Sequence, residues 1–228
     1  MASLYENGVN GILADDMGMG KTIQAISILA YMHETIKIKQ PHLIIAPKST
    51  ISNWMREFKV WAPFFRVVNL IPTAEFRDDI LREKMQPGMF DVCVTTYEAV
   101  TICKSALMKR NFHYVIFDEA HKLKNSDSII AQTSREIPSH SRLLLTGTPL
   151  QNDVGELWSL LNMLMPAMFT SKDEFKEWFD FSRYEADNEA KMQMVKKLHT
   201  ILKPFMLRRT KKDLATKLPD KIEINISV

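Results

Sequence analysis

The chain has 228 residues, 46% of them hydrophobic and 25% charged, a composition typical of a folded domain with a sizeable core. Its net charge of +3 argues only weakly for nucleic acid, so any such contact must come from local patches. No apolar run reaches the roughly 18 residues of a membrane helix and no stretch has a cleavable signal pattern, so neither a membrane nor a secretory role is expected, and Cys93 and Cys103 match no metal-cage spacing and are expected as reduced core thiols.

The opening Met-Ala-Ser, close before the first motif, reads as an expression start. Gly11-Ile12-Leu13-Ala14 then reads as a short buried strand running into Asp15-Asp16. Gly18, Met19 and Gly20-Lys21-Thr22 follow, and Ile23, Ala25, Ile26, Ile28 and Leu29 give a helical period. Strand, glycine-rich turn and helix in that order form a candidate phosphate loop. Glycine lets backbone N–H groups approach an anion, and the helix start adds unpaired donors and a positive dipole end. Lys21 is placed for β- and γ-phosphates and the Thr22 hydroxyl for Mg²⁺. The usual loop has Gly where this chain has Asp15, so the match is partial and a chance glycine-rich turn is the competing reading.

Further strands are expected over 42–46, 66–71, 91–96, 114–118 and 142–146. The second ends in Pro47-Lys48-Ser49-Thr50, a cation and two hydroxyls before a helix, suited either to a phosphate or to a plain N-cap. Thr95-Thr96-Tyr97 is a strand end of the same kind. Tyr114-Val115-Ile116-Phe117 is a continuous apolar run, as in a central parallel strand, and delivers Asp118-Glu119. Asp118 is placed to hold Mg²⁺ and Glu119 to orient an attacking water. Arg142-Leu143-Leu144-Leu145 ends in Thr146-Gly147-Thr148, a turn or a sensor beside the γ-phosphate.

Strands alternating with helices predict an α/β fold, a parallel sheet with helices on both faces and its ligand outside the carboxyl ends of the strands. After residue 152 the strand readings stop. Helices are expected over 156–165 and 194–202, with a polar stretch over 182–196 between them. Ser171 reads as an N-cap, and Phe175, Trp178 and Phe179 as a packing face. Arg208-Arg209-Thr210-Lys211-Lys212 is the densest basic run. The expected division is a nucleotide-binding part over 1–152 and a helical part over 153–228.

GILADDMGMGKTIQ, DEAH and LLLTGTPLQN, in that order, resemble the first RecA-like lobe of a superfamily-two helicase-like motor. More narrowly the chain is similar to the Swi/Snf-type chromatin remodellers, and PKSTISNW and PFMLRRTKKDL are most like the imitation-switch branch. Asp16 stands where that family usually has Glu, and Met19 where it usually has Leu. The resemblance implies ATP and Mg²⁺ as ligands, with Asp16, Gly18, Met19, Gly20, Lys21 and Thr22 around the nucleotide. It also implies double-stranded DNA and nucleosomes as partners of the parent protein, a nuclear location, and Lys48, Ser49 and Thr95 as DNA-backbone contacts. The part over 153–228 becomes a helical protrusion, with its basic run bracing two lobes. The family's second lobe, which supplies arginines to the site, and its adenine-contacting glutamine are not found in this sequence, so the chain alone is expected to be catalytically deficient. A repair or transcription-coupled translocase is the nearest alternative. A P-loop kinase and a non-catalytic nucleotide-binding scaffold are alternatives of other classes.

Overall fold

A computed structural model describes residues 1–71, 74–147, 154–179, 200 and 202–211. Its centre is a seven-stranded parallel sheet. In chain order the strands are β1 (Gly11–Leu13), β2 (His42–Ala46), β3 (Val67–Leu70), β4 (Val92–Thr96), β5 (Phe112–Phe117), β6 (Ser139–Leu145) and β7 (Met206–Leu207). Across the sheet the order is β3-β4-β2-β5-β6-β1-β7. β2, β4 and β5 are buried along their whole length, which is why they read as unbroken apolar runs.

The helices cover both faces, α1 (Ala2–Glu6), α4 (Ala74–Asp79) and α6 (Lys104–Met108) among them. Ile44, Ala46, Val94, Tyr114 and Ile116 point into one core with α2 (Lys21–Tyr31) and α3 (Ile51–Trp61). Their strand neighbours Leu43, Ile45, Cys93, Val115 and Phe117 point into the other. There they meet α5 (Tyr97–Ile102), α7 (Ile129–Glu136) and α8 (Val154–Leu164). Successive residues of a strand face opposite ways, so a hydrophobic run with no polar alternation needs two covers. Cys93 and Cys103 are both buried free thiols.

All six expected strands form, with β5 and β6 beginning earlier than their apolar runs suggest. The ending of strand readings at 152 is corrected, because Met206–Leu207 pairs in parallel with Ile12–Leu13 and extends the sheet beyond β1. Two residues carry no detectable period, and their pairing depends on an edge that only the fold creates. Ser171 caps α9 (Lys172–Trp178) by accepting from the Glu174 N–H at 3.2 Å. Phe175 and Phe179 pack with Leu157, Trp158, Leu161 and Leu202 in a small separate core. Trp178 does not join them; it is 66% exposed at the last position of α9, a helix that buries only Phe175. The 182–196 stretch and most of the helix expected over 194–202 lie outside the described residues.

Candidate nucleotide site

β5, β6 and β1 are neighbours in the sheet, so the motifs that follow them open side by side. Gly20 is the N-cap of α2 in a left-handed conformation (φ 75°), and no side chain of the described residues caps that helix start. Gly18 is also left-handed, at φ 84°. Only glycine adopts such angles cheaply, and the result is a turn whose amides gather at the helix end. Lys21 lies back across this turn, its ammonium donating to the carbonyls of Asp15 at 2.8 Å and Asp16 at 3.2 Å. A Cβ built on Gly147 would stand 2.9 Å from Met17 Cγ and 3.6 Å from Lys21 Nζ, so the end of β6 lies directly against the loop. Thr146 is buried, with its N–H donating to the Leu13 carbonyl at 3.1 Å. Thr148 lies outside the described residues.

Asp118 follows β5. Its Oδ2 accepts from the Trp54 indole N–H at 2.9 Å, with the Thr50 hydroxyl oxygen 3.5 Å away; its Oδ1 accepts from the Glu119 N–H at 3.1 Å. The Tyr97 hydroxyl donates to its carbonyl at 2.7 Å. Burial raises the Asp118 carboxyl above the ordinary aspartate value, the Trp54 hydrogen bond opposes that, Glu119 adds to the rise, and the Lys21 ammonium opposes it. Lys21 and Asp118 therefore share one electrostatic site. Glu119 sits at φ 52°, a left-handed angle that costs a non-glycine residue energy, and its carboxylate lies 3.2 Å from His121 Nδ1.

These residues fit a nucleoside triphosphate with its metal. An uncapped helix start, an ammonium resting on neutral carbonyls, a hydroxyl at Thr22 and a carboxylate within reach of that ammonium make a suitable donor set. Asp16 has a different place from the one expected: its Oδ2 accepts from the Lys211 N–H at 3.0 Å, so its carboxylate faces the segment after β7.

Sequence reasoning did not find the partners of Asp15. That side chain is fully buried and accepts from Arg209, at 2.9 Å from the backbone N–H, at 3.2 and 3.1 Å from Nε, and also from the guanidinium end. Gln24 joins the pair, donating to Asp15 Oδ2 at 3.1 Å and accepting from Arg209. Burial alone would raise the Asp15 carboxyl, yet the hydrogen bonds from Arg209 and Gln24 hold it below the usual carboxylate range. The basic run was the available signal, but nothing in it names Asp15 as its partner.

The candidate DNA contacts separate. Lys48 and Ser49 are exposed on a 3-10 turn between β2 and α3. The Thr50 hydroxyl donates back to the Pro47 carbonyl at 3.0 Å, and no side chain of the described residues caps α3. Thr95 is corrected: it is fully buried and its hydroxyl donates to the Leu70 carbonyl at 2.7 Å. β3 lies outside β4 and shields this strand end, and Thr96 caps α5 instead.

The model of the SNF2-related domain matches residues 1–228. The chain belongs to this family. It is 49% identical over 226 residues to mouse "SWI/SNF-related matrix-associated actin-dependent regulator of chromatin subfamily A member 1", covering 99% of this chain and 21% of that protein. It is 47% identical over 225 residues to the "Probable chromatin-remodeling complex ATPase chain" of Oryza sativa subsp. japonica, covering 99% of this chain and 20% of that one. The chain thus spans about a fifth of the length of the curated relatives it matches. Among solved structures, the Sulfolobus solfataricus SWI2/SNF2 ATPase core in complex with dsDNA superposes with a TM-score of 0.81 at 36% identity. That match covers 99% of this chain and 46% of the other, and gives the sheet its RecA-like assignment. Among the described residues no helix is long and apolar enough to cross a membrane.

Proposed function

We propose that this chain is the ATP-binding lobe of an ATP-dependent DNA translocase that remodels or slides nucleosomes, acting in the nucleus. The observation that carries this reading is the adjacency of β5, β6 and β1, which brings Lys21, Asp118-Glu119 and Thr146-Gly147 to one opening. Residues 1–152 are the nucleotide-binding part, and the helices beyond them a protrusion from it. Lys21 leaves the carbonyls of Asp15 and Asp16 for the phosphates and offsets their charge, while the amides of Gly18 to Thr22 hold the chain of phosphates in place. Thr22 and Asp118 would hold a Mg²⁺ ion, whose charge when bound offsets that on the β- and γ-phosphates. Glu119 orients the attacking water and takes its proton. Thr146-Gly147, with Thr148, answers to the presence of the γ-phosphate through Met17 and Lys21.

Lys48 and Ser49 contact a DNA strand backbone. They follow β2, the neighbour of β5, and the Trp54 and Asp118 bond joins the two regions. Backbone contact carries no base information, as a motor acting on any sequence requires.

Calorimetry with ADP and ATP, with and without Mg²⁺, tests the nucleotide site: wild type binds and Lys21→Ala loses most of the affinity. Equal binding by both would remove Lys21 from its role. Duplex DNA tests the second surface. Binding is expected to be weak, insensitive to sequence and steeply lost with salt, and to weaken in Lys48→Ala while ADP binding holds. Unchanged DNA binding in that variant would leave Lys48 a solvated turn residue.

A further inference from the structure

Resting on the nucleotide reading above, we propose that Arg209 is a positioning residue for the phosphate loop, and that bound phosphate and the seating of residues 205–211 stabilise one another. The segment does more than add a strand. Ile12 N–H donates to the Phe205 carbonyl at 2.7 Å, Ala14 N–H to Leu207 at 2.8 Å and Asp16 N–H to Arg209 at 3.2 Å, and the Lys211 N–H donates to Asp16 Oδ2 at 3.0 Å. This ladder takes every second residue and continues past the end of β1 into the loop itself. The strand pairing and the phosphate turn are one hydrogen-bonded unit.

Arg209 closes that unit from the side. It binds Asp15 at the beginning of the turn and Gln24 in the first turns of α2. Gln24 also donates to the Met19 carbonyl at 3.1 Å. The entry, middle and exit of the loop are therefore joined through one guanidinium, and Lys21 rests on the carbonyls of the same two aspartates. Charge adds a second requirement. Asp15 is fully buried directly under a loop that receives phosphate, and an uncompensated carboxylate there would repel it. Arg209 is the standing counter-ion that makes an acid tolerable at that position. The coupling is reciprocal by linkage: a ligand that favours the closed loop favours the seated segment to the same degree. Chain that follows the helical protrusion thus reports on, and acts on, the phosphate site.

The test uses the 228-residue chain with Arg209→Gln, Arg209→Lys, Asp15→Asn and the Asp15→Asn/Arg209→Gln double variant. Hydrogen exchange without nucleotide reads the strap by itself. Arg209→Gln is expected to speed exchange over 14–24 and 205–211 while β2 and β5 stay protected. In wild type, ADP is expected to slow exchange over 205–211, although no nucleotide contact is assigned there. Calorimetry is expected to show ADP affinity about tenfold or more lower in Arg209→Gln. Arg209→Lys, which keeps the charge and loses the fork, should lie between. The double variant should be no worse than Arg209→Gln alone, since the carboxylate that needed compensation is gone. A purely structural role would lower the melting temperature of Arg209→Gln and leave the ADP affinity of the folded protein at the wild-type value; that result, or unchanged exchange over 14–24, overturns the proposal. Failure of wild type to bind ADP, with faster loop exchange in Arg209→Gln, would instead remove the nucleotide reading and support the positioning role.

Discussion

Asp118 shows how a single residue is prepared for charge work. Each carboxylate oxygen receives one donor, Trp54 on Oδ2 and the Glu119 N–H on Oδ1, so its orientation is fixed in advance. Trp54→Phe keeps most of the buried ring and deletes only the N–H. Leaving a largely buried carboxylate short of a donor costs about 1–3 kcal/mol. The expected result is a weaker Mg²⁺-dependent part of ADP affinity with the Mg²⁺-free part unchanged, measured by calorimetry; an unchanged Mg²⁺ dependence would make Trp54 a packing residue only. Glu119 gives a second residue-scale case. At φ 52° it holds an angle that glycine takes freely. Glu119→Gly is therefore expected to be more stable than Glu119→Ala by about 1 kcal/mol in urea unfolding. On the proposed reading this strain is kept for the sake of the carboxylate that orients water. Asp118 and Glu119 were legible in the sequence because the strand that positions them is local. Trp54 and Arg209 were not legible as partners, lying 64 and 194 residues from the groups they bind. Thr95 misled because a strand end reads as exposed, and only the sheet order shows β3 covering it.

Elements join through a few side chains that satisfy several backbone groups at once. Arg142 of β6 donates to the carbonyls of Met163 at 3.0 Å in α8, Arg135 at 2.7 Å in α7 and Ile137 at 3.2 Å. Burial pushes its guanidinium down to about 10, with Arg135 adding to the fall, so it stays charged at neutral pH. Arg142→Leu would leave three carbonyls without this donor. The expected loss is about 2–5 kcal/mol in urea unfolding, with faster hydrogen exchange in α7 and α8 than in β2 and β5. A loss below about 1 kcal/mol would mean that water replaces the guanidinium at little cost. The sequence shows Arg142 only as the polar lead into an apolar run. The strands themselves were legible, because burial on both faces writes an unbroken hydrophobic run. β7 was not, since its two residues become a strand only beside β1.

Acid sensitivity belongs to the whole molecule, since it sums groups spread along both ends of the sheet. His42, at the start of β2, is 2% exposed and its Nδ1 has no hydrogen-bond partner among the described residues. Burial pushes it down from 6.5 to about 3, with His113 adding to the fall and Asp91 opposing it. His113 is also lowered, by burial and by His140, whose ring stacks on it at 4.9 Å. In the unfolded chain these imidazoles take up protons as pH falls through about 6.5, while the folded chain holds His42 neutral down to about 3. The unfolded state then binds more protons, so stability falls with pH across that window. Asp15 acts in the same direction but lower: its contribution is complete above the ordinary aspartate value and is lost as pH falls through its lowered folded-state value. Asp118 opposes both, because its raised carboxyl takes a proton earlier in the folded state. The first acid loss should therefore come from histidine, whose ordinary value lies above that of a carboxyl group. His42→Phe keeps an aromatic ring against Phe65 and removes the titration. Its unfolding free energy, measured by urea between pH 6.5 and pH 4.5, should fall with a slope shallower than wild type by about one proton, or about 1.4 kcal/mol per pH unit. Parallel slopes for the two proteins would show that His42 reaches solvent and is protonated in the folded state.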